Sequence, residues 1–430
     1  MIEGWLETQR IAEQKADVNQ ILELAKRSYE NYLIRSSEKD LDSAANYYLK
    51  ALKMLYKSVE EDVKFLSYKL RGAMQVKFKN YDKALKIYED AVKKTGKEDV
   101  FYSEIADLLL KKGNHAQACK YYKNAIKASP CNIILWVNLV KILQTYYKDN
   151  TDELMHCYDN MIELEPDNAA LYHELGYLYL KTDEKFSAAN AFKRAVELES
   201  NNAFYYNSYA YALMQLEDYD GAIMQYQNAI RLNPDNEWTS IVAQALGAIY
   251  YEVKSNVDAA MIAYQTAIAF NPSNADAFVA IGEIHQEKNN LASAIKNYCE
   301  AIRINPAISK AYCNMGLALW EKGYADEAII AYQKATVLDP DHAIAFNNLG
   351  VIFLDEKQKP LDALVQFTQA IEANPNYVPA YYNKGRAYNA LNNKIQAAKY
   401  YQMAIDINKF TNEIDESEVE NRLYDLFSVC

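Results

Sequence analysis

The stretch Ala275-Asp-Ala-Phe-Val-Ala-Ile-Gly282-Glu-Ile-His-Gln-Glu-Lys-Asn-Asn290-Leu-Ala-Ser-Ala294-Ile-Lys-Asn-Tyr298-Cys-Glu-Ala301-Ile-Arg-Ile-Asn-Pro306-Ala-Ile308 decides the architecture. Its apolar residues Ala277, Phe278, Ile281 and Ile284 fall at helical spacing. The polar run Glu287-Lys-Asn-Asn290 interrupts them. A second helical stripe follows through Ala294, Ile295, Tyr298, Ala301 and Ile302, and Asn305-Pro306 closes it. Proline just past a helix end is the expected stop signal. The stretch therefore reads as two antiparallel helices joined by a short turn.

The pattern repeats outward in both directions. An aromatic followed three residues later by a small residue recurs, as at Tyr88/Ala91, Phe192/Ala195, Tyr226/Ala229, Tyr332/Ala335 and Tyr401/Ala404, with a step of 34 in most cases. A period of that size means stacked supersecondary units, each relying on its neighbours for burial. Seven of the 12 glycines (Gly72, Gly176, Gly247, Gly282, Gly316, Gly350, Gly385) share one register of the first helix. Glycine there costs about 1 kcal/mol against alanine, so a close approach by the partner helix is expected to compensate. The facing register is also small, as at Ala188, Ala260, Ala294 and Ala328, and the two are expected to form a small-residue seam. Seven of the nine prolines close units.

A large residue, then Gly, Leu, Ala, aromatic, Ala and Pro over one period resembles the tetratricopeptide repeat. Tyr312, Met315, Gly316, Leu319, Ala328, Tyr332, Ala335 and Pro340 carry the likeness in one unit. It extends over about 90% of the chain, as about eleven units. The resemblance implies an all-α fold, an α-solenoid coiled as a right-handed superhelix, with first helices lining a concave groove. Residues 1–24 are expected to form an N-terminal capping helix, 25–411 the solenoid, and 412–430 a closing helix with Ile414, Val419, Leu423 and Leu426 on one face. The first unit, 25–58, matches most weakly. Between units 203–238 and 239–274 the step lengthens to 38, and a local change of pitch is expected near 235–260. One extra residue near Pro360 fits the first turn of a second helix.

Composition narrows the function. Half of the 430 residues are hydrophobic, and 37 are tyrosines, more than packing requires. Net charge is −12, which opposes nucleic-acid binding. Residues 1–100 carry about 19 basic against about 17 acidic side chains, so the acidity lies farther along. The six cysteines (119, 131, 157, 299, 313, 430) form no C-x-x-C pair and read as free thiols. No 18-residue apolar run or apolar leader is present, and the chain reads as cytoplasmic, without membrane insertion. No phosphate loop, dinucleotide fingerprint, nucleophile elbow or H-E-x-x-H appears. The expectation is a chain without cofactor, metal or catalytic residue.

The groove is the candidate site. First-helix positions 2, 5, 6, 9 and 12 of each unit should project into it. Position 6 holds Asn138, Asn314, Asn348 and Asn383, whose amides match a peptide backbone unit in hydrogen-bonding capacity. The run Ala311-Tyr-Cys-Asn-Met-Gly316 resembles repeats of O-linked N-acetylglucosamine transferases. That resemblance implies an asparagine ladder along an extended substrate; a generic polar helix face is the competing reading. Tyr177 and Tyr211 share position 9, Tyr251 and Trp320 position 12; they suit a groove or packing against the next repeat equally. Glu174, Glu252, Glu283, Glu287, Glu321 and Asp355 flank them and would draw in a basic partner. Arg386 is an isolated cation there, so a clamp for an acidic terminus is disfavoured.

These features favour a non-enzymatic scaffold that binds a protein or peptide partner. A regulatory or substrate-presenting subunit of a separate modifying enzyme, such as a glycosyltransferase, is one alternative. A self-assembling structural subunit is another, and the sequence leaves the oligomeric state open.

Overall fold

The computed structural model describes residues 60–232, 235–411 and 414–428, with isolated positions between 20 and 50. Apart from those positions, the expected N-terminal helix (1–24) and first repeat (25–58) lie outside the described residues. Among the described residues there are 21 α-helices and no strand. The chain divides into two compact units, 1–199 and 200–430.

The first unit holds four helix pairs: α1 (Glu60–Lys77) with α2 (Tyr81–Thr95), α3 (Glu98–Lys111) with α4 (His115–Ala128), α5 (Ile133–Tyr146) with α6 (Thr151–Leu164), and α7 (Ala169–Lys181) with α8 (Lys185–Leu198). The second holds α9 (Ala203–Gln215) with α10 (Tyr219–Leu232), α11 (Asn236–Ala248) with α12 (Val257–Phe270), and α13 (Ala275–Glu287) with α14 (Leu291–Ile304). It continues through α15 (Ser309–Glu321) with α16 (Ala325–Leu338), α17 (Ala343–Asp355) with α18 (Pro360–Ala373), and α19 (Val378–Ala390) with α20 (Lys394–Thr411). A last helix, α21 (Glu416–Ser428), buries Val419 and Leu426 in one apolar cluster with Val378, Tyr381, Tyr401 and Ile405.

Local signals explain the boundaries. Asparagine caps many helices: Asn132, Asn168 and Asn202 accept a hydrogen bond from the backbone N–H two residues on, and Asn274 from the one three residues on. Each satisfies an amide that helix geometry leaves orphaned. Nine of the ten turns within pairs contain one left-handed residue, at φ from 48° to 89°. Glycine fills that position only at Gly113 and Gly323, with Asn289 and Asn392 the next best suited. Lysines just past first helices reach back to aspartates in the preceding repeat, as in Lys254–Asp220 (2.7 Å) and Lys288–Asp258 (2.9 Å). The aspartates are exposed, so each pair contributes well under about 1 kcal/mol.

The seam inside each pair differs from the expected small-on-small contact. An aromatic ring of the second helix lies over the glycine of the first. A Cβ added to Gly282 would sit 2.5 Å from Tyr298 Cε1, and one on Gly350 2.6 Å from Phe367 Cε1. Gly72, Gly176, Gly247 and Gly385 meet Tyr88, Phe192, Tyr264 and Tyr401 in the same way, while Gly316 has more room, at 3.1 Å from Tyr332. The facing alanines, Ala294 and Ala328 among them, are fully buried, but the ring occupies the space above the glycine. Burying a large aromatic is worth about 1.5–3 kcal/mol, which exceeds the roughly 1 kcal/mol that glycine costs a helix.

The long step near 235–260 is absorbed inside one helix pair. α11 starts at Asn236, three residues before the expected boundary at 239, because Asp235 Oδ1 accepts from Trp238 N at 2.7 Å and caps it. At its other end α11 continues into a π-helical turn, Ile249–Val253. Pro360 takes the first position of α18, and the extra residue lies in the loop before it, 356–359.

Burial raises the pKa of the core tyrosines above the ordinary value of 10, to about 12 at Tyr226 and Tyr401. The folded state holds the neutral phenol longer than the unfolded chain does, so stability is full below pH 10 and falls as pH rises from about 10 to 12. In an alkaline titration, the share of the tyrosinate absorbance that belongs to the ten buried tyrosines among the described residues should appear together with loss of helix content in that window. Ionisation of all 37 tyrosines with helicity intact would contradict the burial described.

Candidate functional site

The residues singled out from sequence lie on first helices, or on the π-turn that continues α11, in two groups that belong to the two units. Asn138 on α5 and Tyr177 on α7 belong to the first unit. Asn138 is half-buried, and Tyr177 is 48% exposed with its ring edge-on to His173 (4.9 Å) and Phe192 (5.2 Å). The others follow one another along the second unit, beginning with the exposed Tyr211 on α9.

The asparagines of the second unit are already engaged. Asn314 Nδ2 donates to Glu283 Oε1 at 2.7 Å. Asn348 Nδ2 donates to the hydroxyl of Tyr332 at 3.3 Å and its Oδ1 accepts from Asn347. Asn383 Nδ2 donates to Asn347 Oδ1 at 2.9 Å, and Asn383 Oδ1 accepts from Arg386 Nη1 at 3.1 Å. Arg386 Nη2 then contacts both oxygens of Asp355, at 2.9 and 3.1 Å. A continuous chain of bonds thus runs from Tyr332 to Asp355 across three repeats. Arg386, isolated in sequence, is paired in space with a residue 31 positions earlier. Asn347, which pattern reading passed over, is buried at the centre of the network.

Farther towards α11 the face opens into a cleft of about 430 Å³. Ile241, Gln244 and Ala248 of α11, Val279 and Ala280 of α13, and Ile308 form its walls. Tyr251 and Glu252 of the π-turn, Asp276 and Glu283 of α13, and Lys310 of α15 supply its polar groups. A π-turn re-aims side chains relative to a regular helix and often marks a working surface. Here Tyr251 hydroxyl donates to Glu287 Oε2 at 2.9 Å, and burial, then the Glu287 carboxylate, pushes its pKa up to about 12. Glu283 Oε1 accepts from Lys310 Nζ at 2.7 Å as well as from Asn314. Trp320 Nε1 points to Glu356 Oε1 at 3.5 Å, and Gln286 Nε2 donates to Glu321 Oε2 at 3.0 Å.

Some of the tyrosines that cover the glycines bond side chains of the first helices. Tyr298 hydroxyl donates to Gln286 Oε1 at 3.0 Å, and Tyr332 accepts from Asn348. Tyr264, 4% exposed, lines the cleft without a hydrogen bond to any of the described residues. Burial and the carboxylates of Glu252 and Glu283 hold its hydroxyl well above the ordinary tyrosine range. In sequence Tyr264 is one of the recurring aromatics, and only its place beside the longest step of the repeat sets it apart.

Among the described residues, no group of three or more His, Cys, Asp or Glu side chains could hold a metal ion. Nor is any helix among them long and apolar enough to cross a membrane. On the opposite face, the second helices expose Met224, Ile262, Ile330 and Val365 at one register.

Family models for the tetratricopeptide repeat match residues 101–130, 173–237, 286–323, 309–342 and 367–399. The chain carries tetratricopeptide repeats. No curated protein matches it. Solved structures similar to it include the Cut9–Hcn1 hetero-tetramer of the APC/C, at 16% identity over 86% of this chain and 88% of that one, with a TM-score of 0.42. YrrB, described as a tetratricopeptide-repeat protein with an unusual peptide-binding site, is 26% identical over 45% of this chain and 97% of its own, with a TM-score of 0.37. A tetratricopeptide repeat protein from Parabacteroides merdae is 15% identical over 60% of this chain and 99% of its own, with a TM-score of 0.44.

The bond network makes the asparagines structural ties between repeats. Replacing Asn347 by Leu leaves the buried amide of Asn383 without its acceptor, at a cost of about 1–3 kcal/mol. Asn314→Ala removes a half-buried partner and should cost less, about 0.5–1.5 kcal/mol. Thermal unfolding should rank the two variants in that order; the reverse order would show that the Asn347–Asn383 bond is not what holds these repeats together.

Proposed function

We propose that this chain is a non-enzymatic interaction scaffold, and that the first-helix face of its second unit holds an extended segment or helix of a protein partner. Tetratricopeptide repeats generally mediate protein–protein interaction. The observation that carries the specific reading is the cleft at the π-turn, where aromatic, apolar and acidic side chains converge on a space of about 430 Å³. Tyr251 lines it and Trp320 lies farther along on α15; both offer flat, amphipathic area, the kind of surface that anchors a partner at low entropic cost. Glu252, Glu283, Glu287 and Glu321 give the face a negative field that speeds encounter with a basic partner.

A display library of random dodecapeptides, selected on the full chain, supplies the test. Selected peptides should bind saturably, and Tyr251→Ala combined with Trp320→Ala should weaken them at least about tenfold, as loss of two aromatic anchors does. The paired change Ile262→Ser and Ile330→Ser on the second-helix face should leave affinity unaltered. Circular dichroism confirms that both variants fold. Binding lost only in the second variant would overturn the assignment of the face.

A further inference from the structure

The cleft has a feature that the general interaction reading does not use. Three carboxylates, Glu252, Asp276 and Glu283, line it, against the single ammonium of Lys310. Neighbouring lysines are committed elsewhere: Lys254 pairs with Asp220 and Lys288 with Asp258. Lys310 reaches in from the rim with its side chain 63% exposed and rests on Glu283. Such a pair is screened and worth little, so an incoming group can displace it at small cost. Beneath these groups lies the phenol of Tyr264, 4% exposed and without a hydrogen-bond partner among the described residues. The ring is packed away, and the hydroxyl, which faces the cleft, is left free to bond whatever enters it.

We propose that this cleft is a subsite for the cationic side chain, lysine or arginine, of a partner's segment, and that Lys310 is its internal placeholder. The assignment rests on the interaction reading given above. An incoming ammonium or guanidinium takes over the Glu283 carboxylate, meets Glu252 and Asp276, and donates to the Tyr264 oxygen. Tyr264 keeps its proton and donates it in a hydrogen bond to a carboxylate of the cleft. The half-buried ring of Tyr251 adds a face for cation–π contact. Lys310 already shows that an ammonium is accepted by Glu283 at 2.7 Å. A tethered lysine reaches that oxygen from the rim; a lysine on a bound segment enters the cleft itself and gains the partners Lys310 does not touch.

Arrayed nonapeptides of random sequence, with the central residue fixed as lysine, arginine, norleucine or glutamate, test this on the full-length chain. Lysine- and arginine-centred pools should be retained about tenfold better than norleucine-centred ones, the scale of a charge-assisted hydrogen bond. Glu283→Gln and Tyr264→Phe should each erase most of that preference; the second keeps the ring over Gly247 and so keeps the fold. Lys310→Met should move the other way and strengthen the lysine-centred pool. Retention of all pools alike would overturn the subsite and leave the interaction reading intact, whereas retention of none would remove both. A preference for basic pools that survives Glu283→Gln, or weaker binding by Lys310→Met, would likewise overturn the proposal.

Discussion

Each helix pair that carries the register glycine closes because an aromatic ring of the second helix rests directly on it. The glycine gives up about 1 kcal/mol of helix propensity, and the ring recovers more by burial. Where glycine is absent, Val140 fills the register in the repeat of Tyr158, and two other repeats keep it narrow. Ala106 and Ala210 stand there, fully buried, in the repeats of Tyr122 and Tyr226. The contact recurs at repeat spacing because each unit solves the same packing problem in the same way. Even the inserted residue before Pro360 leaves Phe367 over Gly350, since the insertion is taken up in the turn.

The same contact shapes the surface. Tyr298 and Tyr332, two of the tyrosines that cover a glycine, carry their hydroxyls to polar side chains of the first helices, whereas the hydroxyls of Tyr88 and Tyr401 stay buried without a hydrogen bond among the described residues. Core and face are therefore joined by hydrogen bonds such as Tyr298–Gln286 and Tyr332–Asn348. From Tyr332 the bonding continues through three asparagines and Arg386 to Asp355, which ties successive repeats together. At Tyr264 this arrangement changes. The π-turn places Tyr251 and Glu252 at the cleft, and the phenol below them stays unmatched.

The period, the glycine register and the closing prolines made the helix pairs legible from sequence, to within a few residues at most boundaries. What sits over each glycine was not legible. Register assigns positions around a helix but not the direction in which a long side chain leans, so alanine was placed where a ring lies. The π-turn left only an unexplained length, because the inserted residues near 235–260 include no glycine to mark the bulge. The asparagines at position 6 lie on first helices, as their spacing requires. Their mutual bonds and the Arg386–Asp355 pair arise between repeats, where no spacing along one helix records them. Asn347 stands next to Asn348 in sequence, and only stacking shows that it is the buried member of the two.

A double-mutant cycle on Gly282 and Tyr298, read by native-state hydrogen exchange of the α13 and α14 amides, bears most directly on the ring-over-glycine contact. With Tyr298 present, Gly282→Ala should destabilise the pair by about 1–3 kcal/mol, the cost of overpacking. In the Tyr298→Ala background the same change should instead stabilise by up to about 1 kcal/mol, because only helix propensity remains. That reversal of sign is the expected result. An effect of Gly282→Ala that is the same in both backgrounds would mean that the ring does not rest on the glycine, and the packing described would be wrong.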